Sequence, residues 1–267
     1  MSSDDRPSCL VTRPAHQGSS LIDSLRQRGF EPLSFPAIAI EPAPPSPALR
    51  DLPWRIEDYD LALFVSRNAV DHAFRYLDAT ALPAQLQLGA IGRGTAQALR
   101  TQGVGKAVIP AAEFNSEGLL AAPELQSVKG KRVIIFRGQA GRNLLGNSLR
   151  ERGARVDYCE VYRRALPDLG PADYQRLTGG RRPDIALFTS SEGLRNTLTL
   201  LDDDQAAALR RRPWLLISDR MRETARDLGH NAAILIADRA SDTGLIAALE
   251  RWKEDRQSAA GRQQQGE

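Results

Sequence analysis

The chain has 267 residues, of which 42% are hydrophobic and 26% are charged, and its formal net charge at pH 7 is +3. This composition is ordinary for a soluble globular protein and excludes wholesale disorder. The length favours about two domains. The small positive charge is too weak to predict a nucleic-acid-binding protein, although it suits an anionic ligand.

The cysteines and histidines give no sign of a metal site. Cys9 and Cys159 lie in apolar runs and form no CxxC pair, and there are only three histidines. We therefore expect two core thiols, a reducing compartment and no zinc site. No apolar run reaches the roughly 18 residues that span a membrane, and the polar start MSSDDRPSCL is unlike a secretory signal. These features favour a cytoplasmic protein.

Short apolar runs followed by helical patterns recur along the chain. Such runs are typical of parallel strands that helices cover on both faces. In chain order, the clearest are Cys9-Leu-Val, Leu61-Ala-Leu-Phe-Val, Val133-Ile-Ile-Phe and Ile185-Ala-Leu-Phe. Helices are predicted to begin at Ser66-Arg67-Asn68 and Thr189-Ser190-Ser191 and to end at Gly29, Gly103, Gly153 and Gly229.

Two stretches are predicted to lie outside this pattern. Glu41 to Pro53 contains five prolines, and it is predicted to be a stiff extended loop because proline fixes the backbone and removes a donor. Residues 254–267 are polar and show no apolar periodicity. They are predicted to form a disordered tail.

The sequence repeats itself at a nearly fixed distance. SLRQRG ends at Gly29 and SLRERG ends at Gly153, 124 positions later, and DLALFVS and DIALFTS begin 124 positions apart at Asp60 and Asp184. Further along, SEGLL at Ser116 corresponds to the DTGLI that begins 126 positions later. The repeat predicts two α/β units of about five strands each. A single ten-stranded sheet is the alternative.

The turns that follow the predicted strands carry hydroxyls, glycines and arginines. In open α/β sheets, ligands bind beyond the carboxyl ends of the strands, and turns that begin helices offer backbone N–H groups to anions. We therefore predict an anionic ligand held by Arg13, Ser66, Asn68, Gly92, Arg137, Gly138, Thr189, Ser190, Ser218 and Arg220. The alternative is that the hydroxyls only cap helices. The sequence has no GxGxxG, GxxxxGK[ST] or GxSxG motif, so catalysis is expected to depend on positioning and electrostatics.

These segments resemble the uroporphyrinogen-III synthase family. The resemblance runs from about Cys9 to Trp252 and is carried by LVTRP, LFVSRNAV, AIGRGTAQAL, NSEGLL, FRGQAGRNLLGNSLRERGARVDYCEVYRR, DIALFTSSEGL and SDTGLIAAL, in this order. It implies an α/β fold of two flavodoxin-like lobes with parallel sheets, joined by a two-stranded β-ladder hinge. It also implies a discontinuous first lobe, residues 1–37 plus 166–253, and a second lobe of residues 38–165.

The resemblance also implies a reaction. A hydro-lyase without a cofactor would cyclise linear hydroxymethylbilane to uroporphyrinogen III, with inversion of ring D and loss of water. Tyr162 matches the family's tyrosine and would assist departure of the hydroxyl, mainly as a hydrogen-bond donor because a phenol is a weak acid. The alternative is an amphipathic tyrosine at a strand end. Where some members carry Thr-Thr after a glycine, this chain has Ser218-Asp219-Arg220-Met221, so Ser218 and Arg220 are predicted to replace the threonines as carboxylate ligands.

The partners that the resemblance implies are few. We expect a monomer in heme biosynthesis that binds a small-molecule substrate and contacts neither nucleic acid nor a membrane, while a transient contact with hydroxymethylbilane synthase is left open. The first alternative is a non-catalytic hinged binding protein or sensor for an anionic metabolite. The second is a transferase on a doubly wound sheet, although the sequence has no recognisable nucleotide or methyl-donor loop.

Overall fold

Apolar runs of three or four residues form the centres of most strands, and polar turns separate them from amphipathic helices. The computed structural model describes residues 6–264, without the side chains of His16 and of residues 260–264. The strands are β1 (Ser8–Val11), β2 (Glu31–Ser34), β3 (Ala39–Pro42), β4 (Leu61–Phe64), β5 (Gln87–Ala90), β6 (Arg132–Gly138), β7 (Arg155–Ala165), β8 (Ile185–Phe188), β9 (Trp214–Leu216) and β10 (Ile234–Ile236).

The helices follow most of these strands and vary widely in length. They are α1 (Ala15–Gln27), α2 (Pro47–Arg50), α3 (Leu52–Arg55), α4 (Arg67–Ala73), α5 (Arg93–Thr101), α6 (Ser116–Leu120), α7 (Leu144–Glu151), α8 (Pro171–Thr178), α9 (Ser191–Thr199), α10 (Asp203–Arg210), α11 (Met221–Asp227) and α12 (Asp242–Gln264). Among the described residues, no helix combines the length and the apolar character needed to cross a membrane.

The chain divides into two units, each built on its own five-stranded sheet. The first unit contains Met1–Ala39 and Ala165–Glu267, and the second contains Ile40–Arg164. The alternative of one ten-stranded sheet is wrong, because the strands hydrogen-bond in two separate sets.

In the first unit the strand order is β2-β1-β8-β9-β10, and all neighbouring strands are parallel. Alternate residues of β1, β8, β9 and β10 enter different cores. Leu10 and Phe188 pack into one cluster with α9 and α10, whereas Val11 and Leu187 pack into another with α1 and α12. Helices thus cover both faces, which explains the near-continuous apolar runs.

In the second unit the order is β3-β7-β6-β4-β5. The strands β7, β6, β4 and β5 are parallel to one another, and a parallel bridge joins Gly89 of β5 to Val108. Phe64 and Phe136 pack on one face with their rings stacked 4.7 Å apart, and Leu63 lies in the cluster on the other face. The predicted arrangement of buried parallel strands is confirmed in both units.

The two copies of the sequence repeat form corresponding elements but are divided between the units. Ser66 caps α4 and Ser190, 124 positions later, caps α9, each by accepting a hydrogen bond from a backbone N–H three residues on. Gly29 and Gly153 both end a helix with a positive φ, 73° and 87°, a conformation that glycine adopts without strain. By this correspondence β1 matches β6, yet β1 pairs with β8 from the other copy.

Two local predictions are wrong. The segment predicted to be a stiff loop contains α2 and α3, because Ser46 accepts a hydrogen bond from Leu49 N and Pro47 occupies the first turn, where its missing N–H costs nothing. The residues from 254 to 264 of the predicted disordered tail continue α12. They are rich in Gln, Arg and Ala, which favour helix, and Arg256 pairs with Asp184. The last three residues of that predicted tail lie outside the described residues.

Candidate functional site

The predicted site residues lie at or close to the carboxyl ends of parallel strands in both units. In the first unit, the turns after β1, β8 and β9 hold Arg13, Thr189, Ser190, Ser218 and Arg220. In the second unit, the ends of β4, β5, β6 and β7 hold Ser66, Asn68, Gly92, Arg137, Gly138 and Tyr162. This is the edge at which open α/β sheets bind ligands.

Ser66, Gly138 and Tyr162 are brought into one cluster in the second unit. The Ser66 hydroxyl donates a hydrogen bond to the Tyr162 hydroxyl at 3.2 Å and accepts one from the Ala69 N–H at 3.0 Å. Tyr162 is 7% exposed, and the centres of the His72 and Tyr162 rings lie 5.8 Å apart. Gly138 lies so close that a Cβ there would be 2.6 Å from the Tyr162 Cζ. The phenol is therefore held from several sides.

A break in the strand register places Tyr162 opposite Gly138. Arg137 of β6 pairs with Glu160 of β7, but the next residue, Gly138, pairs with Tyr162, so that Val161 is the extra residue. A bulge of this kind changes the direction of a side chain. Beyond the bulge, Gln139 N donates to Tyr162 O at 2.9 Å, which holds the following loop to β7.

Arg137 is engaged within its own unit. Its Nε and Nη2 donate to Glu160 Oε1 at 3.3 and 3.0 Å, and its Nη1 donates to Asn143 Oδ1 at 2.9 Å. Its guanidinium carbon lies 4.2 Å from the centre of the Tyr158 ring, and its side chain is 10% exposed. Four N–H···O contacts, including a long one to the Arg142 carbonyl oxygen, leave little of the fork for a ligand. The predicted role of Arg137 in binding stays a prediction.

A pocket of about 440 Å³ opens beside Arg137 at this edge. Its lining includes the exposed arginines Arg142 and Arg164 and the half-exposed ring of Phe114. The Arg93 guanidinium stacks 5.0 Å from the centre of that ring. Two exposed cations beside an aromatic face can bind a carboxylate on an unsaturated ring.

Phe114 is not among the site residues that the sequence predicts, although it directly precedes the NSEGLL segment. Gly92, which was predicted, lies against it: a Cβ on Gly92 would be 3.0 Å from the Phe114 Cβ. The repeat did contain a signal for this turn. Asn115 accepts a hydrogen bond from Gly118 N and caps α6, and Ser241 accepts one from Gly244 N at the corresponding turn before α12. Nothing local, however, indicated that Phe114 would be near Gly92.

In the first unit, the predicted site residues at the carboxyl ends of the strands include one arginine in an ion pair and one exposed arginine. Arg13 forms an ion pair with Asp242 at 2.7 Å, and Asp242 was not among the predicted site residues. Ser190 is used as the cap of α9. Arg220 is exposed and, within residues 6–264, has no ion-pair partner. The cation of this edge that remains most available to an anionic ligand is therefore Arg220.

Comparison with known proteins identifies the family. The family model described as uroporphyrinogen-III synthase HemD matches residues 19–247. The chain belongs to the uroporphyrinogen-III synthase family. It is 35% identical over 251 residues to the uroporphyrinogen-III synthase of Escherichia coli K12, an alignment that covers 91% of this chain and 100% of that protein.

Solved structures of the family share the fold. A mutant uroporphyrinogen III synthase from the extremely thermophilic bacterium Thermus thermophilus superposes with a TM-score of 0.54 at 23% identity, covering 94% of this chain and 99% of that one. Uroporphyrinogen-III synthetase from Helicobacter pylori 26695 superposes with a TM-score of 0.56 at 16% identity, covering 91% and 97%. At these identities the likeness concerns the fold alone.

The family membership confirms the function that the sequence predicted, that of a uroporphyrinogen-III synthase enzyme of porphyrin biosynthesis. The alternative of a non-catalytic binding protein or sensor is not favoured. The mixed α/β fold with two mainly parallel sheets is likewise confirmed. The roles of the individual site residues stay predictions.

Proposed function

We propose that this protein cyclises linear hydroxymethylbilane to uroporphyrinogen III as a hydro-lyase, with inversion of ring D and release of water, and without a cofactor. The observation that carries the proposal is the buried Tyr162 hydroxyl, bonded to Ser66 at the ligand-binding edge of a sheet in a chain of this family. The protein's main task would be to hold a flexible chain in one bent geometry, which lowers the entropic part of the barrier.

Tyr162 would act on the leaving hydroxyl. The C–O bond breaks with its electron pair going to oxygen, the adjacent pyrrole N–H loses its proton, and the two combine as water, which leaves an azafulvene. A hydrogen bond from the phenol to the departing oxygen would stabilise the charge that develops there. The azafulvene then closes the macrocycle through a spiro intermediate that inverts ring D.

The substrate carries eight carboxylates, and exposed arginines would bind some of them. Arg142 and Arg220 are the strongest candidates, because both are exposed and neither has an ion-pair partner within residues 6–264. Backbone N–H groups at Gly92 and hydroxyls at Thr189 and Ser218 would add neutral donors, whereas the Ser66 hydroxyl already donates to Tyr162. Arg13 and Arg137 would support these turns through Asp242 and Glu160.

The finer description of the fold belongs to the same proposal. The order β2-β1-β8-β9-β10 of the first unit corresponds to the flavodoxin-like order 2-1-3-4-5, which supports flavodoxin-like lobes. The two-stranded ladder between lobes, the monomeric state, the cytoplasmic location and the transient contact with hydroxymethylbilane synthase stay predictions.

A coupled assay tests the proposed reaction. Hydroxymethylbilane is generated in place by its synthase, the purified protein is added, and the products are oxidised and separated by chromatography into type I and type III isomers. We expect type III to predominate with the protein and type I to be the sole product without it. Type I as the sole product in both samples would show that the proposed reaction is wrong.

A further inference from the structure

The Ser66 hydroxyl stands between a helix N-terminus and the Tyr162 phenol. A serine hydroxyl has one proton and two lone pairs. One lone pair accepts the Ala69 N–H at 3.0 Å, as in an ordinary helix cap. The single proton is donated to the Tyr162 oxygen at 3.2 Å. Ser66 therefore uses the phenol as an acceptor, although a phenol is equally able to donate.

This arrangement decides where the phenol's own proton points. Because the Tyr162 oxygen accepts from Ser66, its proton must be directed away from Ser66. Among residues 6–264, no acceptor takes that proton. We propose that Ser66 is a positioning residue that acts through Tyr162, since its donated hydrogen bond turns the Tyr162 proton toward the leaving hydroxyl of the substrate.

The surroundings of the Tyr162 ring hold it in place, so that the direction of its hydroxyl proton is the main variable. Gly138 lies against the ring, where a Cβ would be 3.0 Å from the phenol oxygen itself, and the bulge at Val161 sets the register of Tyr162 on Gly138. Because the ring is buried and held in place, rotation about the C–O bond is the main freedom left. A hydrogen bond accepted by a phenol also polarises its O–H and strengthens the bond that it donates.

Ser190, which corresponds to Ser66 in the repeat, shows that the hydrogen bond to a tyrosine is not part of the helix cap. Ser190 caps α9 with the same geometry, accepting from Gly193 N at 3.0 Å, and no hydrogen bond joins its hydroxyl to a tyrosine among the described residues. The cap is thus common to both units, while the second bond of the hydroxyl is particular to Ser66. Helix capping alone does not account for it.

The proposal rests on the proposed function, and a double-mutant cycle tests it. Steady-state kcat and KM for hydroxymethylbilane are measured for wild type, Ser66→Ala, Ser66→Thr, Ser66→Asp, Tyr162→Phe and Ser66→Ala/Tyr162→Phe. Ser66→Ala is expected to lower kcat about fivefold, the worth of one ordinary hydrogen bond, with KM nearly unchanged. In the Tyr162→Phe background the same change is expected to have less than about a twofold effect, because the group that Ser66 acts on is gone.

Two variants separate the hydrogen bond from the cap. Ser66→Thr keeps both the cap and the hydroxyl donor and is expected to have wild-type kcat. Ser66→Asp keeps the cap, but an ionised carboxylate has no proton to donate. Its kcat is expected to be no higher than that of Ser66→Ala. Asp also keeps the test available if Ser66→Ala does not fold. Ser46→Ala is the matched control, because it removes a hydroxyl cap from α2 of the same unit and is expected to leave kcat unchanged.

The outcomes distinguish the positioning role from the reaction itself. Wild-type kcat in Ser66→Ala or Ser66→Asp would overturn the proposal, and so would an equal loss with and without the Tyr162 hydroxyl, which would mean that Ser66 acts on the substrate directly. Either result, obtained while wild type still forms type III product, leaves the proposed function standing. Type I product alone from wild type would refute that function instead.

Discussion

Gly138 and Tyr162 face each other on β6 and β7 with no room for a side chain between them, since a Cβ on Gly138 would be 2.6 Å from the Tyr162 Cζ and 2.7 Å from its Cε2. The absence of a side chain at 138 is therefore a condition for the position of the phenol. This contact links the end of one strand to the proposed catalytic group on the next.

Gly138→Ala is expected to displace the Tyr162 ring. The added methyl overpacks a closed site, which we expect to lower the free energy of unfolding by about 1–3 kcal/mol and kcat by roughly tenfold or more, since the phenol leaves its place. Urea denaturation and the isomer assay measure the two effects. Gly105→Ala is the control, because a Cβ there meets no atom within 4 Å; equal losses in both variants would contradict the prediction.

Arg137→Gln is expected to loosen the loop after β6. Loss of the bonds to Glu160 and Asn143 should lower the free energy of unfolding by about 2 kcal/mol, as expected for hydrogen bonds to charged groups. Arg137→Lys should recover only part of it, because an ammonium cannot reproduce the planar fork. The measurement is urea denaturation.

The exposed neighbour Arg142 provides the contrast. Arg142→Gln should leave the free energy of unfolding within about 0.5 kcal/mol of wild type and raise KM for hydroxymethylbilane. An unchanged KM in Arg142→Gln, together with a wild-type stability of Arg137→Gln, would reverse the roles that we assign to the two arginines.

Asp184 is expected to make stability depend on acid pH. Burial alone would raise its pKa, but hydrogen bonds from the Ser8 N–H and hydroxyl and the bond from Arg256 outweigh burial and lower the pKa below 3.8. A carboxyl whose pKa is lower in the folded than in the unfolded protein stabilises the fold at pH values above its unfolded-state pKa. This stabilisation is lost as the pH falls through its folded-state pKa.

The corresponding experiment compares Asp184→Asn with wild type by urea denaturation from about pH 7 to about pH 3. At pH 7 the variant is expected to be less stable by about 1 kcal/mol, with the difference shrinking at the acid end as the wild-type carboxyl becomes neutral. The exposed Asp219→Asn should show a much smaller difference at pH 7. A constant deficit of Asp184→Asn over the whole range would mean that its ionisation is not what stabilises the fold.

Both thiols are expected to resist alkylation in the folded protein. Cys9 is fully buried and Cys159 is 5% exposed, and burial raises the pKa of each to about 12. Since the thiolate is the reactive form, iodoacetamide at about pH 8 should label neither residue until urea unfolds the chain. Mass spectrometry counts the labels; labelling of native Cys9 at the rate of a free thiol would contradict the burial of β1.

Those elements whose causes are local could be predicted from the sequence. The run Ile185-Ala-Leu-Phe forms β8, and Ser66 and Ser190 cap α4 and α9 as expected, because apolar periodicity and capping hydroxyls act within a few residues. The short helices α2 and α3 and the continuation of α12 beyond residue 253 were missed. In α2 the hydrogen bond from Leu49 N to Ser46 outweighed a proline-rich composition, and in α12 residue types that favour helix, together with the pair of Arg256 and Asp184, continue the helix.

Site chemistry could be predicted only at the level of the turns. The sequence placed hydroxyls, glycines and arginines at the carboxyl ends of strands, but it could not show that Arg137 is already held by Glu160 or that Arg13 is held by Asp242. These partners are 23 and 229 positions away along the chain. Whether an arginine is available to a ligand depends on such neighbours.

By itself, the sequence determined the repeated α/β units, the buried parallel strands, the helix caps and the family, because each of these depends on residue types at short or fixed spacing. The tertiary structure alone decided that copies of the repeat are divided between the units, that a register break at Val161 sets Tyr162 on Gly138, and that Ser66 donates to the phenol. The reason is physical: strand pairing and bulges bring together residues whose separation along the chain carries no local signal, and the hydrogen bonds of a hydroxyl depend on what that pairing places next to it.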